Sequence, residues 1–335
     1  MSQTGEDVGK DSFNRLVTVF GGSGFVGRNV VRALVRDGWR VRAAVRRPDL
    51  AGHLQPLGSV GHIHAVQANL RYPDSVAAAV RGADAVVNLV GILHRSGRQS
   101  FDAVHAFGAE VVAECAAEAG ATALVHMSAI GADAESSSAY ARTKAAGERA
   151  VLGAFPTAVI LRPSIVFGPG DAFFNRFAGM ARMLPALPLI GGGHTRFQPV
   201  FVADVAAAVA VALAGRATPG TVYELGGPEV FTFRELMEFI LRETGRKRLL
   251  VPVPFWLATT EAWFLQRLPK PLLTVDQVRL LKRDNVVSEA AAASGRTLQG
   301  LGIAAHSIEA IVPAYLDRFR KSGQFDRGRA QAGGA

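Results

Sequence analysis

Tyr140 and Lys144 stand four positions apart in an alanine-rich stretch, and Ser128 lies twelve residues before the tyrosine. On a helix a four-residue step stacks two side chains on one face, so a phenol and an ammonium are presented side by side. Ser128 follows the apolar run Leu124–Met127, which places its hydroxyl at the end of a strand. Together the three groups suit proton transfer to or from a carbonyl or alcohol oxygen. A free phenol titrates near pH ~10, so a neighbouring cation and an oxidised nicotinamide are needed to bring it into use at neutral pH. Ser128 would orient the reacting oxygen. The alternative is a surface pair without chemistry, and the strand before Ser128 and a glycine-rich turn upstream weigh against it.

That turn is Gly21, Gly22, Ser23, Gly24, Phe25, Val26 and Gly27, directly after the β-branched run Leu16–Phe20 and directly before an amphipathic stretch. The first glycines allow a tight turn, Gly24 lets backbone approach a pyrophosphate, and Gly27 lets the helix pack on the strand. The helix N-terminus offers N–H groups and a partial positive charge to the phosphates. After the second strand come Arg46 and Arg47, where an NAD-preferring site would carry an acid against the ribose hydroxyls. Arginine there accepts a 2′-phosphate, so NADP(H) is favoured over NAD(H), while Asp49 leaves NAD open. Asn69 and Leu70 follow the third strand, within reach of an adenine edge, and Asn88, Val90 and Gly91 close the fourth. Asn69 also reads as a helix cap before Pro73, and Gly91 as a simple turn.

The elements that must hold these residues alternate short apolar runs with longer alanine-rich stretches. Strands are expected at Leu16–Phe20, Arg40–Val45, His62–Gln67, Ala85–Leu89, Leu124–Met127 and Thr157–Leu161. A helix is expected over Phe101–Ala119, with Val104, Phe107, Val111 and Val112 on its apolar face. This order predicts an α/β fold: a Rossmann-type, doubly wound parallel sheet with a smaller C-terminal α/β lobe. The nucleotide-binding domain is expected over 13–165, with segments near 195–225 returning to it, and a substrate or docking lobe over 166–320. That lobe carries a helix near Phe174–Leu184, a short strand at Val222–Leu225 and a helix over Thr232–Thr244. Met1–Ser12 and residues 321–335 lack apolar periodicity and are expected to be without fixed structure.

A formal charge of +9 is spread as arginines over many elements, with no zinc-finger spacing and no aromatic RNA-binding signature, so nucleic acid is not an expected partner. No metal-ligand set is legible either. Cys115 stands alone and is read as a buried small side chain. The acidic start, with Glu6, Asp7 and Asp11, fits neither a secretory signal nor a mitochondrial transit peptide, and a bacterial cytoplasmic protein is the expectation. Over Val251–Pro269, Trp256, Leu257, Thr260, Trp263, Phe264 and Leu268 share a helical face. That face is either packed core or a docking surface for a membrane interface or partner protein, flanked by Arg267 and Lys270.

The glycine turn, Ser128 and the Tyr140/Lys144 pair resemble the short-chain dehydrogenase/reductase superfamily in its extended or atypical branch. Further stretches narrow the resemblance: NLVGIL (Asn88–Leu93), LRPSIVFGPGD (Leu161–Asp171), FFNRF (Phe173–Phe177), FQPVFVAD (Phe197–Asp204) and PLLTVDQVRLLKRDNVV (Pro271–Val287). These are similar to the NAD(P)-binding accessory subunits of respiratory complex I, NADH:ubiquinone oxidoreductase. The resemblance implies an NADPH-holding subunit, peripheral on the cytoplasmic face of the inner membrane, with other complex I subunits as partners and a structural or regulatory cofactor. It also implies that Arg162, Pro163 and Ser164 lie at the nicotinamide end. Because Ser128, Tyr140 and Lys144 are all present, a free-standing reductase or epimerase acting on a sugar nucleotide, quinone precursor or other small carbonyl or alcohol stays open.

Overall fold

The structure, a computed structural model, describes residues 15–95, 97, 99–268 and 271–320. Met1–Ser12 and residues 321–335, expected to be without fixed structure, lie outside the described residues. The chain forms two compact units. Of the described residues, the first holds those up to Pro163 with Val202–Leu225 and Ser288–Ala304, and the second holds Ser164–Phe201, Gly226–Val287 and those from Ala305.

The first unit is built on strands β1 (Leu16–Phe20), β2 (Arg40–Val45), β3 (Ile63–Gln67), β4 (Ala85–Asn88), β5 (Ala123–Met127) and β6 (Val159–Pro163), with Val222–Leu225 as a seventh. The sheet order is Val222–Leu225, β6, β5, β4, β1, β2, β3, and every pairing is parallel. This is the doubly wound Rossmann sheet that the alternating pattern predicts. Its order reverses between β1 and β4, the switch point where loops leave in opposite directions and open a crevice at the carboxyl ends. Register brings those ends level, since Phe20 pairs with Asn88 and Asn88 with His126. Helix α1 (Phe25–Arg36) buries Val30, Val31 and Leu34 completely. Helix α2 (Pro73–Val80) starts on Pro73 and buries Val76, Ala79 and Val80.

The helix expected over Phe101–Ala119 runs unbroken from Phe101 to Glu118 but changes its winding near the start. Asp102–Ala106 winds as a π-turn and α3 proper covers Phe107–Glu118. One extra residue in the turn rotates the faces of the helix beyond it. Val104, Val111 and Val112 are buried as expected, but Phe107 turns outward to 46% exposure. Gly108 turns inward instead, where an added Cβ would lie 3.0 Å from Leu70. Helix α4 (Ala139–Ala154) opens on Ser138, whose hydroxyl accepts from the Ala141 N–H.

In the second unit Phe173, Phe174, Phe177, Phe197 and Phe233 meet mostly edge-on, with ring centroids 5.0 to 6.3 Å apart. The helix Phe233–Glu243 is fixed at its start by a capping box of Thr232 and Glu235. Strands Ala186–Ile190 and Leu249–Val253 pair in parallel. In the helix Phe255–Leu265 the small residues Ala258 and Ala262 face inward. Trp256, Trp263, Phe264 and Leu268 face outward at 71, 49, 62 and 50% exposure, which decides the choice between core and surface. Among the described residues no helix is long and apolar enough to cross a membrane.

Candidate functional site

The glycine turn follows β1 at the switch point. Gly21 has φ +79°, a conformation open to glycine at little cost, and its N–H donates to the Ala44 carbonyl on β2. A Cβ on Gly27 would lie 2.2 Å from the Gly21 oxygen and 2.7 Å from Gly22, so α1 rests directly on the turn and only glycine fits. Helix α1 begins on Gly24 without a side-chain cap and with no carboxylate in its first turn. Its N–H groups and positive dipole end are therefore uncontested by protein anions, as an anionic phosphate requires.

From this turn the site runs sideways across the sheet. A Cβ on Gly21 would touch Leu89 and Val90 at 3.4 Å, so the loop after β4 lies against the glycine turn. Asn88 shapes that loop by accepting from the Val90 N–H, and its amide meets Nδ1 of His126 on β5 at 3.3 Å. Next along, a Cβ on Gly91 would lie 3.4 Å from the Lys144 nitrogen. Lys144 is 3% exposed and donates to the Met127 carbonyl at 2.9 Å. The next residue is Ser128, whose hydroxyl is buried with no partner among the described residues.

Burial governs the titration of this cluster. Lys144 is pushed down to about 8 by desolvation, opposed by the nearby Glu148 carboxylate. Half-buried Tyr140 is pushed up to about 12 by desolvation. His105 and His126 are pushed down to about 3 by burial and then by the Lys144 charge, so both imidazoles are neutral at ordinary pH. Tyr140 and Lys144 are thus no solvated surface pair, and the phenol keeps its proton across the neutral range.

Several expected ligands sit differently. Arg47 is bound bidentately to Asp49 at 2.7 and 2.9 Å, which takes up the acid that left NAD open, while Arg46 is exposed. The Asn69 side chain accepts from the Arg71 N–H, making a local turn rather than a helix cap. Leu70 is buried in the core. The Arg162 guanidinium is committed to Glu148 on α4 at 2.5 and 2.8 Å and approaches Glu224 at 3.7 Å, joining β6, α4 and the edge strand. Pro163 ends β6 and its carbonyl accepts from the Ile130 N–H. Ser164, in the second unit, donates to Asn285.

The sequence pattern of the NAD dependent epimerase/dehydratase family matches residues 17–226. The chain belongs to that family. Among curated relatives, the NADH dehydrogenase [ubiquinone] 1 alpha subcomplex subunit 9 of Arabidopsis thaliana is 35% identical over 94% of this chain and 81% of its own length. The NADH-ubiquinone oxidoreductase 40 kDa subunit of Neurospora crassa is 31% identical over 92% of this chain and 80% of its own. The ceramide reductase of Caulobacter vibrioides is 33% identical over 71% of this chain and 74% of its own. In fold the chain is similar to the dTDP-glucose 4,6-dehydratase DesIV of Streptomyces venezuelae with NAD and TYD bound, at TM-score 0.63 and 23% identity over 85% of this chain and 96% of that one.

The family is NAD-dependent, and two features of this member fit a bound dinucleotide: a glycine cradle that a Cβ on Gly27 would fill, and the buried Ser128 hydroxyl that no atom of the described residues satisfies. Three residues that pattern reading passes over adjoin the Tyr140 and Lys144 pair. Glu148 extends the Tyr140, Lys144 row by another four residues, a spacing that could have found it. His105 and Thr143 are linked at 3.2 Å and give no comparable signal, because a lone histidine within an apolar stripe reads as core.

Proposed function

We propose that this chain is an NAD(P)H-holding accessory subunit of the NADH:ubiquinone oxidoreductase type, peripheral on the cytoplasmic face of a bacterial inner membrane. The observation that carries the nucleotide role is Ser128: its hydroxyl is buried and without a partner among the described residues, at the carboxyl end of the sheet where the glycine turn also lies. Similarity to respiratory-chain subunits over more than nine-tenths of the chain supports the accessory role and other complex I subunits as partners. NADP(H) is favoured over NAD(H), because Arg47 neutralises Asp49 and leaves Arg46 at the end of β2 to meet a 2′-phosphate. Gly21–Gly27 and the start of α1 hold the pyrophosphate. Gly91, Lys144, Tyr140 and Ser128 face the nicotinamide end, with Pro163 and Ser164 continuing from β6. The outward tryptophans over 251–270 supply a membrane contact.

The second reading, a free-standing reductase or epimerase, draws on the intact Ser128, Tyr140 and Lys144 and on the reductase among the relatives. A bound NAD(P)H supplies a hydride. In that case the Tyr140 phenol, protonated at neutral pH, gives its proton to the substrate oxygen, Ser128 donates a hydrogen bond to the same oxygen, and Lys144 stabilises the resulting phenolate.

A mild-detergent pull-down of the tagged protein from its own membranes, with mass spectrometry of the released nucleotide, tests the proposal. Recovery of respiratory subunits with NADPH is the expected result. A protein that leaves the membrane without such partners, and reduces a carbonyl in a Tyr140-dependent way, would overturn the accessory role.

A further inference from the structure

His105 is the fourth residue of the π-turn and is 1% exposed. Its imidazole reaches three parts of the site. Nε2 accepts from the Ile92 N–H at 3.0 Å, and Nδ1 lies 3.2 Å from the Thr143 hydroxyl on α4. The ring stacks on Phe101 at 5.5 Å and stands edge-on to Tyr140 at 5.2 Å. One tautomer satisfies both hydrogen bonds: Nε2 is bare, the proton sits on Nδ1 and points to the Thr143 oxygen, and the Thr143 hydroxyl donates onward to the Ala139 or Tyr140 carbonyl. The main chain is equally constrained, because a Cβ on Gly147 would lie 1.9 Å from the His105 oxygen, so α4 is pressed onto the π-turn at this point.

The loop after β4 depends on this imidazole. Leu89 and Val90 are held through Phe20 and Asn88, close to the strand. Beyond them, Ile92 is anchored by His105, and Gly91 between these anchors is the residue that faces the Lys144 ammonium. The gap between loop and amine is therefore set by a hydrogen bond from the loop to a side chain outside it.

We propose that His105 is a positioning residue that clamps the Gly91–Ile92 loop against Lys144, and that the clamp sets how firmly the nucleotide is held and how far solvent reaches the Lys144 amine. The nucleotide part of this inference rests on the function proposed above; the shielding part stands without it. A histidine that merely filled core space could be exchanged for an apolar side chain, whereas a clamp requires an acceptor where Nε2 lies.

His105→Phe and the smaller His105→Leu fill the space without an acceptor, and His105→Gln brings an amide oxygen to nearly the same place. NADPH affinity is read by titrating nucleotide fluorescence. Shielding is read by mass spectrometry as the rate at which an amine-reactive reagent labels Lys144, with exposed Lys247 as internal reference. The apolar variants should bind NADPH about tenfold more weakly and label Lys144 about tenfold faster, while the glutamine variant stays near the wild type in both. Apolar variants equal to the wild type in both measurements, or a glutamine variant as impaired as they are, would sink the clamp. A wild-type protein that binds neither NADPH nor NADH overturns the nucleotide role instead, and Lys144 labelling then decides the clamp alone.

Discussion

Lys144→Met replaces a buried ammonium by an apolar chain of similar length and so separates charge from volume. The amine is held at about 8 against an ordinary 10.5, and desolvation is the leading cause. At ~1.4 kcal/mol per unit, carrying that charge into the fold costs about 3 kcal/mol wherever both states are protonated. Because the folded value lies below the unfolded one, the unfolded chain binds more protons between about pH 8 and pH 10.5. Stability contributed by this group therefore rises with pH across that window, and the cost is present in full below it. Against this, the variant leaves the Met127 carbonyl without its donor, at about 1 to 3 kcal/mol. Near pH 7 Lys144→Met should thus equal or modestly exceed the wild type in stability. The sharper quantity is the change of the difference: from about pH 7 to about pH 10 the wild type should gain roughly 2.5 kcal/mol relative to the variant. Urea unfolding of both proteins at the two pH values measures it, since other titrating groups cancel in the comparison. A difference constant to within about 0.5 kcal/mol would refute the desolvated amine.

Four further outcomes are expected. Gly27→Ala drives a methyl into the Gly21 carbonyl, so stability should fall by about 2 to 3 kcal/mol with loss of nucleotide binding, and an unchanged melting temperature would contradict the packing described. Arg46→Ala should weaken NADPH about tenfold or more and leave NADH nearly unchanged in parallel titrations; equal losses exclude a 2′-phosphate contact. Glu148→Ala removes the bidentate partner of Arg162 and should cost about 3 kcal/mol in denaturant unfolding, with Lys144 titrating lower still. Replacing Trp256 and Trp263 together by serine should abolish co-sedimentation with anionic lipid vesicles, and retention of binding would assign membrane contact elsewhere.

The sheet was legible because its signals are local. β1, β2 and Val222–Leu225 lie where the residue pattern places them, and the other strands shift by one or two residues, as at β6, which starts at Val159 and runs to Pro163. The glycine turn, Ser128, Tyr140 and Lys144 are legible for the same reason, since strand, turn and helix succeed one another along the chain. Contacts that depend on register are not. The family resemblance implies that Arg162 lies at the nicotinamide end, yet the strand alignment delivers its guanidinium to Glu148 and Glu224. The outward turn of Phe107 depends on one inserted residue, which a helical period of 3.6 does not foresee. Trp256 and Trp263 left two readings open because an apolar stripe has the same periodicity whether it faces core or solvent.

The first unit is assembled from three separated stretches of chain, ending at Ala304. During synthesis, β6 therefore emerges from the ribosome well before Val222–Leu225, the strand that covers its free edge. In that interval the nascent sheet exposes unpaired N–H and C=O groups to any neighbouring strand. Fragments cut after Pro163 leave that edge open for good. Such fragments should aggregate at concentrations where the whole chain stays dispersed, and the interval makes the growing chain a natural client for a chaperone at the tunnel exit.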